Sequence, residues 1–238
     1  MTQRKQDIAE AFFLLGSRRR PEFTLSWREL IRKARAEARP DYAPAPPGAL
    51  PHLLCFDVET SGSPGGLLVI QLAYVVVDDE FRIVHEHCDL LKLPQGERVH
   101  WHARKVHGIS SNKVFLRGKS AKEELDAFFL WVRRVKRQNG LLIAHNAAFD
   151  ASAITQTARR WELPYRLPKS SCFCTMRNAT AYCGLLNKLG RPKPPKNATL
   201  YRILAGGPPL WAKLHDALDD TKITLHNYKL GRECQWFQ

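Results

Sequence analysis

The chain has 238 residues, 44% of them hydrophobic and 25% charged, which suits one folded domain with an extension and argues against a disordered chain. A formal net charge of +14 favours a polyanionic partner such as nucleic acid. No apolar run approaches the ~20 residues that a membrane span needs, and six cysteines are too sparse for a disulfide scaffold, so an intracellular reducing compartment is expected, cytoplasm or nucleus, with an organelle as an open alternative.

In chain order, residues 1–38 are basic and helical in pattern, with Ser26 and Glu29 at capping-box spacing ahead of "LIRKARAEA". "RPDYAPAPPGALP" (39–51) concentrates proline and reads as an extended linker. Residues 1–50 therefore form an appendage with its linker, and residues 51–238 the main domain. There "HLLCFDV" predicts a strand, "LLVIQLAYVVV" (67–77) a second, and "FRIVHEHCDLL" a third after the tight connection Asp78-Asp79-Glu80, which together make an antiparallel meander. A polar loop follows. Leu125, Phe128, Phe129 and Val132 then recur at helical spacing, with Gly140 as the stop. "LLIAHN" (141–146) predicts a buried parallel strand, residues 149–161 a helix and "SCFCTM" another short strand. Helices are expected around 177–189 and 198–204, and a last one from about Leu214 into "ITLHNY". This order predicts an α/β domain, a mixed sheet with helices on its faces.

Three acidic clusters adjoin apolar runs. Asp57 and Glu59 end the first strand, and their i, i+2 spacing puts both on one face, where they repel unless a cation lies between them or both reach water. Asp150 follows the fourth strand. His215 and Asp220 are placed on the last helix. Carboxylates converging from several elements suit a hard divalent cation, and a neutral histidine beside them suits proton transfer.

"FDVET" with Gly62, "HNAAFD" and "HDALDD", in this order, resemble the three sequence blocks of the DEDDh 3′→5′ exonucleases, and "VHGI" (106–109) resembles a further recurrent family feature. The resemblance covers roughly residues 52–230. It implies a ribonuclease H-like five-stranded mixed sheet flanked by helices. It implies two Mg²⁺ (or Mn²⁺) ions held by Asp57, Glu59, Asp150 and Asp220, with His215 as the general base. Four residues separate His215 from the last ligand, which selects Asp220 over Asp219 and leaves Asp216 a supporting or solvated role. Thr60 is expected to position the 3′-terminal nucleotide; Ser61 stands where the family often has Thr. His145 and Asn146 of the second block, with Lys193 and Lys196 of the basic "RPKPPKN" run, are the remaining expected substrate contacts. The implied reaction releases nucleoside 5′-monophosphates from single-stranded DNA 3′ ends, in proofreading or repair. Two other readings stay open: 3′-end trimming of RNA, and a nucleic-acid- or polymerase-binding module with little activity, docking a protein partner through residues 1–50. "HEHC" and "HWH" lack the paired spacing of a structural zinc site, and "CFC" reads as strand packing.

Overall fold

A computed structural model describes residues 42–62 and 66–237. The three-strand meander forms as its alternation predicts: β1 (Leu53–Thr60), β2 (Val69–Val77) and β3 (Ile83–Leu90) pair antiparallel. β4 (Leu141–Ala144) and β5 (Cys172–Cys174) extend the sheet in parallel on the other side of β1, giving the order β3-β2-β1-β4-β5. β2 is buried at every position because helices cover both faces, which is why it reads as an unbroken apolar run.

Among the described residues, seven α-helices surround this sheet: α1 (Trp101–His107), α2 (Ser111–Arg117), α3 (Ala121–Arg137), α4 (Ala147–Arg160), α5 (Thr175–Ala179), α6 (Asn197–Ala205) and α7 (Ala217–Glu233). Leu54, Phe56 and Val58 point from β1 into a core shared with α3 and α4. The alternate residues Leu53 and Cys55 point to the opposite face, into a core shared with α6 and α7. α3 starts at Ser120, whose hydroxyl accepts from the Glu123 N–H, and carries Glu123 and Glu124 in its positive first turn. Gly140 ends the turn after α3 for a steric reason. A Cβ there would lie 2.1 Å from the His52 carbonyl oxygen.

Four sequence expectations are corrected. The stretch read as a polar loop holds α1 and α2; each spans only seven residues, too few to show periodicity, although Ser110 caps α2 by accepting from the Lys113 N–H. The helix expected over 177–189 is the five-residue α5, and Gly184 and Gly190, at φ 61° and 72°, turn the chain beyond it. The last helix begins at Ala217, not Leu214, because Asp216 caps it by accepting from the Leu218 N–H. The proline-rich segment is not a free linker from Tyr42 onward. Ile83 N–H donates to Ala43 and Ala45 N–H to the Ile83 carbonyl, both at 2.8 Å, so this piece pairs beside β3. Tyr42 packs on the face covered by α6 and α7. The basic helical stretch expected over 1–38 lies outside the described residues. Cys55, Cys172, Cys174 and Cys183 are free thiols, buried as small apolar side chains. No helix among the described residues is long and apolar enough to cross a membrane.

Candidate active site

The site begins with a mismatch of strand lengths. β4 has four residues and pairs only with Leu53–Cys55 of β1, so the β4-side edge of β1 is open from Phe56 onward. An open edge leaves backbone donors to be satisfied by other groups. α4 starts directly beyond β4 and fills the gap: Asp150, buried in its first turn, accepts from the Val58 N–H at 3.3 Å. Asp57 and Glu59 lie half-buried on the opposite face of β1, side by side as their spacing requires.

α7 covers that face and brings Asp220. Two contacts fix its register: the Cys55 thiol donates to the Thr221 carbonyl at 3.4 Å, and the Ala217 N–H donates to Gln71 Oε1 at 3.4 Å. Gln71 is the β2 partner of Glu59 across the ladder. The Asn197 amide donates to the Asp220 carbonyl at 2.9 Å, and the buried Asn227 donates to Asn197 Oδ1 at 2.9 Å. Gln71 and Asn197 were not anticipated from sequence. The available signal for Gln71 was a lone polar residue inside an apolar strand.

Four carboxyls from three elements therefore share one small volume, and their protonation reflects it. Burial pushes Asp57 well above the usual carboxylate range, and the charges of Asp150, Asp220 and Glu59 push it further. Glu59 rises to about 8 through burial and then the charges of Asp220 and Asp150. Asp150 rises to about 8 through burial, against the pull of its backbone hydrogen bonds. Burial raises Asp220, while His215 opposes the shift.

His215 is exposed and lies on a loop rather than on α7, with a left-handed backbone at φ 64°. Its N–H donates to Asp220 Oδ2 at 2.8 Å. The ligand atoms of Glu59, His215 and Asp220 lie within 4.8 Å of one another. Asp219 is a brace for this loop, accepting from the Lys213 N–H at 2.8 Å, and Asp216 is the helix cap. Thr60 is buried, and its carbonyl accepts from His107 Nε2 at 3.3 Å while His107 Nδ1 accepts from the Ile109 N–H at 3.0 Å. Burial lowers the His107 pKa, which keeps the ring neutral in this role. His107, inside "VHGI", thus clamps the end of β1. Gly62 at φ 63° lets α1 close over it, since a Cβ would sit 2.6 Å from that of Ala103.

The remaining expected substrate contacts lie at the start of α4 and on the 192–196 loop. His145 uses both ring nitrogens, on Thr175 Oγ1 at 2.9 Å and the Pro195 carbonyl at 3.0 Å, and burial pushes its pKa down to about 4. It ties β4 to the 192–196 loop and has no ring nitrogen left for a substrate. Asn146 is exposed in the left-handed N-cap position of α4. Lys193 and Lys196 are exposed on the loop.

Carboxylate oxygens with an imidazole, held by rigid elements and destabilising one another, are a donor set that fits a divalent cation. One consequence is measurable without substrate. Glu59 and Asp150 titrate higher when folded than their ordinary 4.5 and 3.8, so the folded metal-free protein keeps protons that the unfolded chain has released. Stability is then lost as pH rises from about 4 towards 8. We expect the melting temperature of the metal-free protein to fall by roughly 5–10 °C over that window, and saturating Mg²⁺ or Mn²⁺ to cancel the fall. A melting temperature insensitive to metal at pH 8 would count against a cation site here.

A family model described as "Exonuclease" (RNase T type) matches residues 54–228. A search of the curated proteins finds no match. Among solved structures, E. coli exonuclease I in complex with a dA16 oligonucleotide superposes with a TM-score of 0.61 at 20% identity, covering 77% of this chain and 41% of that one. The zinc-ion-bound form of the E. coli ExoI–ssDNA complex matches with a TM-score of 0.61 at 20% identity, covering 78% and 41%. Cell-death related nuclease 4 (CRN-4) matches with a TM-score of 0.59 at 14% identity, covering 77% and 64%. The chain thus spans about two fifths of the length of exonuclease I. These likenesses establish the fold: the mixed five-stranded sheet is that of the ribonuclease H-like exonucleases.

Proposed function

Since the chain belongs to the DEDD-type exonuclease family of the ribonuclease H-like superfamily, we propose that it removes nucleoside 5′-monophosphates one at a time from the 3′ ends of single-stranded DNA, as a DEDDh enzyme. The observation that carries this reading is the convergence of Asp57, Glu59, Asp150 and Asp220 from three elements, with His215 beside Glu59 and Asp220. Asp57, Glu59, Asp150 and Asp220 would hold two divalent cations, Mg²⁺ or Mn²⁺. When bound, the ions neutralise the scissile phosphate, lower the pKa of the attacking water and stabilise the departing oxygen.

The chain's own residues do the rest. Asp57 lies amid the other three carboxyls and is the member whose charge they all perturb or share. His215, exposed and tethered through its backbone to Asp220, is free to turn its ring towards an incoming water and take its proton. Thr60, whose carbonyl accepts from His107 at the end of β1, is the residue we assign to positioning a terminal nucleotide. The surplus of basic residues draws in a polyanion. DNA is favoured because exonuclease I structures among the matches are complexes with the DNA oligonucleotides dA16 and dT13. The buried free thiols Cys55, Cys172, Cys174 and Cys183 suit a reducing compartment, and we assign the 3′-end trimming to proofreading or repair.

The test is a comparison of 3′-labelled single-stranded DNA and RNA oligonucleotides of equal sequence with Mg²⁺. Stepwise release of deoxynucleoside 5′-monophosphates, faster than ribonucleotides, is the expected result. Faster trimming of RNA would make the enzyme an exoribonuclease. Binding of both without hydrolysis would make the chain a nucleic-acid-binding module.

A further inference from the structure

His87 stands on the opposite face of the sheet from Asp57 and Glu59. It pairs with Tyr74 across the β2–β3 ladder, and Tyr74 belongs to the core shared with α3. Its neighbour Glu86 points the other way and accepts from Lys222 of α7 at 2.9 Å. Asp89, two residues on, shares the His87 face. α3 brings Glu124 against both. His87 Nε2 lies 2.6 Å from Glu124 Oε2 and 3.5 Å from Asp89 Oδ2, and one ligand atom from each of the three lies within 4.8 Å of the others. The spacing that "HEHC" lacks is thus supplied by tertiary structure, from a residue 37 positions beyond His87.

Glu124 is the member that points to a ligand. Its side chain is only 7% exposed, and among the described residues it has no partner outside the cluster: His87 holds Oε2, and nothing donates to Oε1. A buried carboxylate without a cation of its own is costly. The start of α3 offers it only a partial positive charge, and Lys119 sits on Asp89, at 2.6 Å, instead. Burial raises the pKa of Tyr74, and the charges of Glu124 and Asp89 raise it further, so both carboxylates act on one spot. Tyr74 stacks on the His87 ring at 4.9 Å and holds it in place. Ligands about 2.1 Å from a tetrahedral ion lie about 3.4 Å from one another. The His87–Asp89 separation already matches, and the His87–Glu124 contact would open by less than about 1 Å as an ion replaces the proton between them. Lys119, with its side chain 54% exposed, can swing into water.

We propose that His87, Asp89 and Glu124 form a second metal site, for a divalent transition ion of the Zn²⁺ class, which fastens β3 to the start of α3. One imidazole nitrogen and two carboxylate oxygens suit Zn²⁺ better than the all-oxygen set that Mg²⁺ prefers. The two carboxylates balance the charge of the ion, and the partial exposure of His87 and Asp89 leaves the fourth position to water. β3 is the edge strand of the sheet. An ion there would pin an edge that has a strand on one side only and is half-buried along most of its length. The role is structural and separate from the acids on the other face.

The test uses the full chain carrying Asp57→Asn, which weakens the acidic site, stripped with EDTA and then titrated with Zn²⁺ alone. Asp89→Ala or His87→Gln, added to that chain, removes one donor of the second site. The Asp57→Asn chain should retain Zn²⁺ through dialysis, and each added substitution should weaken its Zn²⁺ affinity by at least about 100-fold. Zn²⁺ at about 100 times its Kd should raise the melting temperature of the Asp57→Asn chain by about 5–10 °C and that of the Asp89→Ala chain by little. In EDTA the two should melt within about 2 °C of each other, because the exposed Lys119–Asp89 pair contributes little. If His87→Gln does not fold, Asp89→Ala decides alone. Failure of the Asp57→Asn chain to retain Zn²⁺, or equal Zn²⁺ affinity with and without Asp89→Ala, would overturn the site. None of these readings requires hydrolysis, so they stand whether or not the chain proves to be an exonuclease.

Discussion

Asp57→Asn will cut the rate of nucleotide release by at least about 1,000-fold, the equivalent of ~4 kcal/mol of transition-state stabilisation, while leaving oligonucleotide binding in EDTA intact. The substitution keeps the shape of the side chain and removes its charge. Asp57 sits where the fields of Asp150, Asp220, Glu59 and Asp216 overlap, so on the proposed mechanism its charge serves the divalent ions and not the strand end. The same substitution relieves repulsion in the metal-free protein. The Asp57→Asn protein should therefore melt above the unaltered protein at pH 8 without metal and gain little when Mg²⁺ is added. A variant that is less stable and inactive would point to a folding defect. One that turns over normally would remove Asp57 from the chemistry.

His215→Ala is expected to lower kcat by about 100- to 10,000-fold, the usual worth of a positioned general base, with KM little changed. Its backbone N–H, which tethers the loop to Asp220, survives the substitution. The geometry of the acids should therefore persist, and only proton acceptance should be lost. Two further signatures separate this role from a structural one. The rising limb of the pH–rate curve should flatten, and added imidazole should restore part of the activity. A drop in activity with an unchanged pH profile would mean that His215 serves as a ligand, consistent with its place within 4.8 Å of Glu59 and Asp220, and not as the base.

Much of this arrangement was legible in the residues. The alternation of β1, the unbroken apolar run of β2 and the heptad-like spacing on α3 follow directly from which faces are covered, and they are visible in any linear reading. The spacing of Asp57 and Glu59 sufficed to put them on one face. What could not be read was how distant segments satisfy one another's backbone. The placement of Asp150 depends on β4 stopping three pairs along β1, a tertiary fact with no local signature. The sequence reading starts the last helix at about Leu214 and so places His215 on it; Asp216, as cap, begins the helix one residue beyond His215. His145 is expected as a substrate contact from its place in the second family-like block, yet Thr175 and Pro195 occupy its ring. α1 and α2 escaped because seven residues carry too little periodicity. Their caps were readable, and short capped segments of this kind warrant scrutiny wherever a long polar loop is inferred.

The contribution of α7 has a consequence for when the protein becomes active. Asp57 is synthesised well before Asp220, and α7 is held in register by Cys55 and Gln71 from the first two strands. Chains fold from the amino end as they are made, and contacts between distant segments close last. A nascent chain that has built its whole sheet still lacks one of its four acids and its histidine. Such an intermediate can gather nucleic acid through its basic surface without cutting it. On the proposed mechanism, hydrolysis therefore waits for α7 to dock on the finished sheet.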